Sequence, residues 1–268
     1  MGVHGIRQYK FHRDPRELQK LWAKALVRSA GLKEEEFALA YYAPILHLGA
    51  RQGSGSDEQF SETECRLIAA WLVSQGTPVP VVQGPATRWL RDGIDWFIRN
   101  RAAEGLTQAI VASAFREVAV YVDPLHASRR HEARRTVAEV ITKEKPRILI
   151  AHSLGSVVAY ETLWAWPNLR VDLLLTLGSP LALPGIFADR LDPFEAGQRR
   201  KPPGVIRWVN VADEGDLIAV PKGLSQYFDG VDSDAEVTIG SIAFHDVEAY
   251  LRCSEVANIL AAYDEGDA

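Results

Sequence analysis

The segment ILIAHSLGSVVAYE, residues 148–161, passes from a short buried-type strand into an apolar helix with no loop between them. Arg147 to Ala151 carries the strand character and Leu154 to Trp164 the helical pattern, which leaves Ser153 at the junction. Two readings of that serine compete. Serine is a common N-cap, and a serine ahead of an apolar helix needs no catalytic explanation. A strand that runs straight into a helix, however, demands a very tight turn, strained at its central residue, that lifts the side chain above the sheet edge. The neighbours two before and two after must then be small, because backbones pass close together there. Ala151 and Gly155, followed by Ser156, meet that need. Ala151 departs from the strict G-x-S-x-G pattern by one methyl group.

Outward from this junction, apolar strands alternate with helices. Upstream, the pattern predicts a helix over Pro15 to Ser29 ending near Gly31, a strand over Phe37 to Tyr42 and a helix over Thr63 to Ser74. Two further helices follow, over roughly 102–120 and 128–143. Downstream come strands over Val171 to Leu177, closed by GSP at 178–180, over Val205 to Val211 and over Ala235 to Ile239. A terminal helix covers Asp246 to Ala261, and the Gly- and Ser-rich residues 50–60 and the Pro/Gly-rich 181–204 read as loops. Buried strands separated by helices predict an α/β fold, a three-layer sandwich of a mainly parallel sheet with helices on both faces. A length of 268 residues with 47% apolar residues suits one domain over 1–268 with ample material for a core. The aromatic-rich segment about 85–125, with Trp89, Trp96 and Phe97, reads either as a helical cap or lid or as extra helix packed on the core.

A nucleophilic serine needs a base, and the base needs a group to orient it. His245 is the only histidine after Ser153 and stands just before the terminal helix. The strand over 205–211 is followed by Asp213, Glu214 and Asp216. Asp216 is the preferred acid, because the apolar LIAVP behind it would bury the rear of the carboxylate; Asp213 is the fallback. Either aspartate could instead cap a turn. At the other end of the chain, VHGI (3–6) turns at Gly5 and can point the Ile6 N–H at a reacting carbonyl, with the Leu154 N–H as the second donor. Only Met1, Gly2 and Val3 are at hand to form the strand before that turn. Ser179 and Pro180, at the end of the strand over 171–177, and Trp89 are candidates for a pocket beside the serine.

Composition removes other classes. Thirty basic residues against 35 acidic ones give a formal charge of −5, with none of the clustered excess of Lys and Arg that nucleic acid would call for. Cys65 and Cys253 lie far apart in predicted helices, which is no disulfide framework and favours a reducing, cytoplasmic compartment. No signal peptide is visible, and the most apolar run, FALAYYAPILHLGA at 37–50, is interrupted by Pro44 and His47, so no transmembrane segment is expected. The seven histidines are scattered without HExxH or CxxC grouping, and no metal site is predicted.

The segments VHGI (3–6), AHSLGSVVAYE (151–161), LGSPL (177–181), WVNVADEGDLIA (208–219) and FHDVEAYL (244–251) together resemble serine hydrolases of the α/β-hydrolase superfamily, in a lipase- or esterase-like branch. The resemblance spans nearly the whole chain in the family's order. It implies that Ser153 attacks an ester or related acyl carbon of a small-molecule or lipid-like substrate. His245 would act as base and then acid, Asp216 would orient it, and Ile6 and Leu154 would form the oxyanion hole, with no cofactor. A thioesterase or serine peptidase would use the same triad, and a non-catalytic binding or scaffold protein of the same fold is the alternative from another class.

Overall fold

Short strands pair into one six-stranded sheet in the order β2-β1-β3-β4-β5-β6. The strands are β1 (Gly2–Val3), β2 (Leu39–Ala40), β3 (Ile148–His152), β4 (Val171–Leu177), β5 (Val205–Asp213) and β6 (Ser233–Val237). The computed structural model describes residues 1–268 except 32, 50–59, 78–85, 101–107, 193–198, 240–244 and 265–268; the side chains of 86–89 and 264 also lie outside that description. Among the described residues every ladder is parallel. A parallel sheet needs cover on both faces, and that is why β3 and β4 read as near-continuous apolar runs, whereas the edge strand β6 (SDAEV) is polar and partly exposed.

The cover comes from helices α1 (Pro15–Ala30), α2 (Ala43–Leu46), α3 (Glu62–Ser74), α4 (Ala86–Asn100), α5 (Gln108–Val122), α6 (Ala127–Glu144), α7 (Leu154–Ala165), α8 (Val247–Arg252) and α9 (Ser254–Asp264). Helices α1, α8 and α9 share a core with Ile150, Leu173, Leu175, Val209 and Val211. Leu149, Ala151, Leu174 and Trp208 point the other way, into the core formed with α3 to α7. Alternation along each strand thus sorts side chains between two layers, completing a three-layer α/β sandwich with the topology of the α/β-hydrolase fold.

Local chemistry sets the helix ends. Asp14 caps α1 by accepting the Arg16 N–H at 3.1 Å, Pro15 occupies the first turn, and Gly31 closes the helix at φ 69°. Ser61 and Glu64 make a reciprocal capping box at the start of α3. Val171–Leu177 is the strand expected, whereas the strand expected over Phe37 to Tyr42 pairs only through Leu39–Ala40. The single terminal helix expected over Asp246 to Ala261 is two helices. Cys253 leaves the helical region at φ −70°, ψ 148°, and the Ser29 hydroxyl on α1 donates to the Leu251 carbonyl at 2.6 Å, an acceptor a continuous helix would use itself.

Two residues suffice for β1 because it lies between neighbours. Gly2 donates to the Ala38 carbonyl at 2.8 Å, and the Met1 carbonyl accepts the Ile150 N–H at 2.9 Å. A side chain at position 2 would meet the Phe37 ring at 2.7 Å and the Trp22 ring at 2.8 Å. In the segment about 85–125, Leu90, Ile94 and Phe97 of α4 are buried in one row, and α5 packs between α3 and α6.

Candidate active site

Among the described residues all strands point the same way, so their carboxyl ends lie along one edge of the sheet, where loops from separate strands converge. His4 follows β1, Ser153 follows β3, Gly178 to Pro180 follow β4, and Asp213 ends β5 with Asp216 in the turn beyond it. His245 comes after β6, just before α8.

Ser153 has φ 55° and ψ −132°, a conformation that costs a non-glycine residue about 1–3 kcal/mol. Its backbone is held at both ends. The Ser153 N–H donates to the Leu177 carbonyl at 3.0 Å, and its carbonyl accepts the Ser156 N–H at 2.9 Å and the Ser156 hydroxyl at 2.7 Å. Ser156 in turn shares a 2.7 Å hydrogen bond with Ser179. The serine occupies the N-cap position of α7, yet its side chain caps nothing there.

Instead its Oγ lies 2.8 Å from His245 Nε2. On the opposite side of the ring, His245 Nδ1 lies 2.8 Å from Asp216 Oδ2. This is the geometry of a Ser–His–Asp triad. The triad couples a serine to an imidazole and the imidazole to a fully buried carboxylate, an arrangement that supports a general serine hydrolase mechanism.

The carboxylate is over-determined. Asp216 Oδ1 accepts the Ile218 N–H at 2.8 Å and the Ala219 N–H at 3.2 Å. Oδ2 also accepts the Tyr250 hydroxyl at 2.6 Å. Burial alone would raise this carboxyl, but the His245 charge and the bonds from His245, Tyr250 and Ile218 outweigh it and hold the group at about 2. Asp213 has other duties. Its oxygens accept the Gly215 N–H at 3.1 Å and the Ile239 N–H at 2.8 Å, and its own N–H donates to the Tyr250 hydroxyl at 2.8 Å. Lys222 clips the turn by donating to the Asp213 carbonyl at 2.5 Å and the Asp216 carbonyl at 2.9 Å.

Three glycines make room for this convergence. A Cβ on Gly155 would sit 2.3 Å from the Val3 carbonyl oxygen and one on Gly5 2.7 Å from Ser153 Cβ. Gly178 adopts φ 54°, and a Cβ there would come within 2.8 Å of Asp216 Oδ2 and 3.2 Å of His245 Cε1. The buried imidazole of His152 stacks obliquely near the triad, its ring centroid 4.8 Å from that of His245, and burial pushes its pKa well below the ordinary histidine value.

Leu154 is the first residue of α7, so its N–H has no acceptor within the helix. The Ile6 N–H has no acceptor among the described residues. Ile6, Ser153 and Leu154 all border an apolar pocket with an empty volume of about 390 Å³ including its open mouth. Trp71, Phe115 and Val118 supply one part of its wall, and Pro180, Leu183 and Phe187 another. Pro180 therefore lines the pocket, whereas the Ser179 hydroxyl is buried against Ser156; the Trp89 side chain lies outside the described residues.

Tyr250, Trp71 and the α5 residues were not among the sequence candidates. Trp71 is visible in the sequence only as part of an apolar stripe, and Tyr250 only as a helix residue five positions after His245. No family model, curated protein or solved structure matches the chain. Among the described residues no helix is long and apolar enough to cross a membrane.

Proposed function

We propose that this chain is a carboxylic ester hydrolase that works through an acyl-enzyme on Ser153. The observation that carries the reading is the hydrogen-bonded series Ser153–His245–Asp216 opening onto an apolar pocket. His245 Nε2 takes the proton from Ser153 Oγ as the oxygen attacks the ester carbonyl. The Ile6 and Leu154 N–H groups receive the oxyanion, a contribution commonly worth several kcal/mol of barrier. The imidazolium returns its proton to the departing alcohol. Water then attacks the acyl-enzyme with His245 again as base, releasing the acid and restoring the serine. Asp216, already ionised and fully bonded, keeps the ring in the tautomer that presents Nε2 to the serine.

The pocket supports an apolar acyl group rather than a charged one. Its wall is built from aliphatic and aromatic side chains, the lining that small apolar groups favour. Two free cysteines, Cys65 and Cys253, favour a reducing compartment such as the cytoplasm.

The test is labelling with a fluorophosphonate probe, followed by turnover of p-nitrophenyl esters, acyl thioesters and peptide amides. Labelling that is lost in Ser153→Ala, with turnover of esters, is expected. Unlabelled native protein, or equal labelling of the variant, removes the nucleophile and leaves the scaffold reading. Turnover of thioesters or peptides alone moves the activity to those bonds.

A further inference from the structure

The loop after β1, from His4 to Arg7, is held by side chains at almost every peptide. Tyr42 donates its hydroxyl to the His4 carbonyl. The buried His4 ring donates from Nδ1 to the Gly5 carbonyl at 2.7 Å, while its Nε2 accepts the Tyr42 N–H at 3.2 Å. Gln8 donates to the Ile6 carbonyl at 3.1 Å, and the Arg7 N–H donates to Glu117 Oε2 at 2.9 Å. Both polar groups of the Ile6–Arg7 peptide are thus tied down, one of them by a residue of α5. Arg7 itself sits at φ 63°, in the left-handed region, which a non-glycine residue keeps only when its surroundings enforce it.

Glu117 is out of character for its position. It is 8% exposed, and its helix neighbours Val111, Phe115, Val118 and Val120 are buried apolar residues. A carboxylate in such surroundings is costly unless it is bonded. Burial pushes it above the usual carboxylate range, opposed by the bond to the Arg7 N–H and by the Arg7 charge. Phe115 and Val118, on either side of it in sequence, line the pocket beside Ser153. The helix that forms the pocket wall therefore also reaches the loop that carries the Ile6 N–H.

We infer that Glu117 is a positioning residue for the oxyanion hole: by accepting the Arg7 N–H it fixes the Ile6–Arg7 peptide and aims the Ile6 N–H at the reacting carbonyl. The inference rests on the hydrolase reading above. It goes further in making the oxyanion donor depend on the seating of α5. A group that acts this way touches neither substrate nor nucleophile, so its removal should spare ground-state binding and weaken the transition state.

The experiment compares wild type, Glu117→Met, Glu117→Gln and Ser153→Ala. Thermal unfolding, kcat and KM on a p-nitrophenyl ester, and affinity for an arylboronic acid that forms a tetrahedral adduct on the serine are measured. Methionine keeps the length and apolar fit but offers only a weakly accepting thioether in place of the carboxylate. Glu117→Met should fold, lose about 10- to 100-fold in kcat with KM within about threefold, and lose boronate affinity by a similar factor. Glu117→Gln, whose amide oxygen still accepts the Arg7 N–H, should stay within about fivefold of wild type in kcat. If the methionine variant does not fold, Glu117→Leu replaces it with the same expectation. A folded variant within twofold of wild type in kcat overturns the inference. So does a glutamine variant that falls as far as methionine, because charge rather than the bond would then be at work. Wild-type protein that turns over no ester, thioester or peptide substrate, or turnover that survives Ser153→Ala, overturns the hydrolase reading and this inference with it. That result is distinct, because it appears before any change at Glu117.

Discussion

Alanine at position 155 sets two physical effects against each other, with opposite signs. By helix propensity the change from glycine should stabilise α7, by up to about 1 kcal/mol and less near a helix end. By packing it should do the reverse. The new Cβ would lie 2.3 Å from the Val3 carbonyl oxygen and 2.4 Å from that of His4, short of an ordinary contact by about 1 Å. Neither oxygen belongs to a side chain that can swing away. Val3 is paired to β2 and β3, and the His4 carbonyl is held by the Tyr42 hydroxyl. The helix and the loop must therefore separate, and overpacking of this kind costs about 1–3 kcal/mol. The packing effect should win, leaving a net loss of about 1–2 kcal/mol by urea unfolding. The loop carries the Ile6 N–H, and a shift of about 1 Å there should lower kcat about 100-fold. Stability and ester turnover are to be read on the same preparation, with fluorophosphonate labelling to count competent sites. Gly155→Ala as stable as wild type or more so, with kcat within twofold, would refute the reasoning from close approach.

Other consequences are as direct. Asp216→Asn should lower kcat about 10³- to 10⁴-fold by disturbing the tautomer of His245, whereas Asp213→Asn should cost about 1–3 kcal/mol of stability and leave kcat within about fivefold. Equal kcat losses in ester assays of the two variants would contradict the separate duties of these aspartates. Tyr250→Phe removes the acceptor of the buried Asp213 N–H and one donor to Asp216, so it should lower stability by about 1–3 kcal/mol and let the Asp216 carboxyl rise from about 2. Urea unfolding checks the first part and carboxyl NMR titration the second. Burial lowers the His4 imidazole to about 4, against about 6.5 unfolded, so the unfolded chain binds the extra proton between those values. Stability contributed by neutral His4 is complete above about pH 6.5 and falls by about 3 kcal/mol as pH drops to about 4. Urea midpoints across that range should show the slope in wild type and a shallower one in His4→Asn; matching slopes would exclude His4 as the source.

Much of the scaffold is legible in the sequence because a parallel sheet buried on both faces forces its central strands to be largely apolar. Val171–Leu177 stands out for that reason, and the alternation with helices follows from the covering layers. Ser153, Asp216 and His245 can be found because covalent chemistry restricts residue types, and the fold restricts them to strand ends. The preference for Asp216 over Asp213 rests on the apolar LIAVP behind it; the contacts that stretch makes with the carboxylate are backbone ones, the Ile218 and Ala219 N–H groups on Oδ1. What stays hidden depends on pairing across the chain. Nothing local to Glu117 names Arg7, nothing near Asp216 names Tyr250, and the break at Cys253 goes with a hydroxyl from α1. Each is a single polar contact between distant elements, which leaves no period in the sequence.

The small residues around Ser153 show how a correct local rule can rest on an incomplete cause. A small residue at 155 is expected because strand and helix backbones meet at the turn, yet the atoms a Cβ there would strike belong to Val3 and His4 in another strand and loop. Gly5 approaches the serine from the same loop, and Gly178 clears Asp216 and His245 from β4. The elbow is therefore a packing problem among three strand ends. The bonds from Leu177 and Ser156 hold a conformation that Ser153 would not adopt alone. That conformation sets the serine apart from an ordinary helix cap. An N-cap side chain turns back onto the N–H groups of its own helix, and here the Oγ is turned instead to His245. The Leu154 N–H at the mouth of the helix is left without an intrahelical acceptor, the condition an oxyanion site requires.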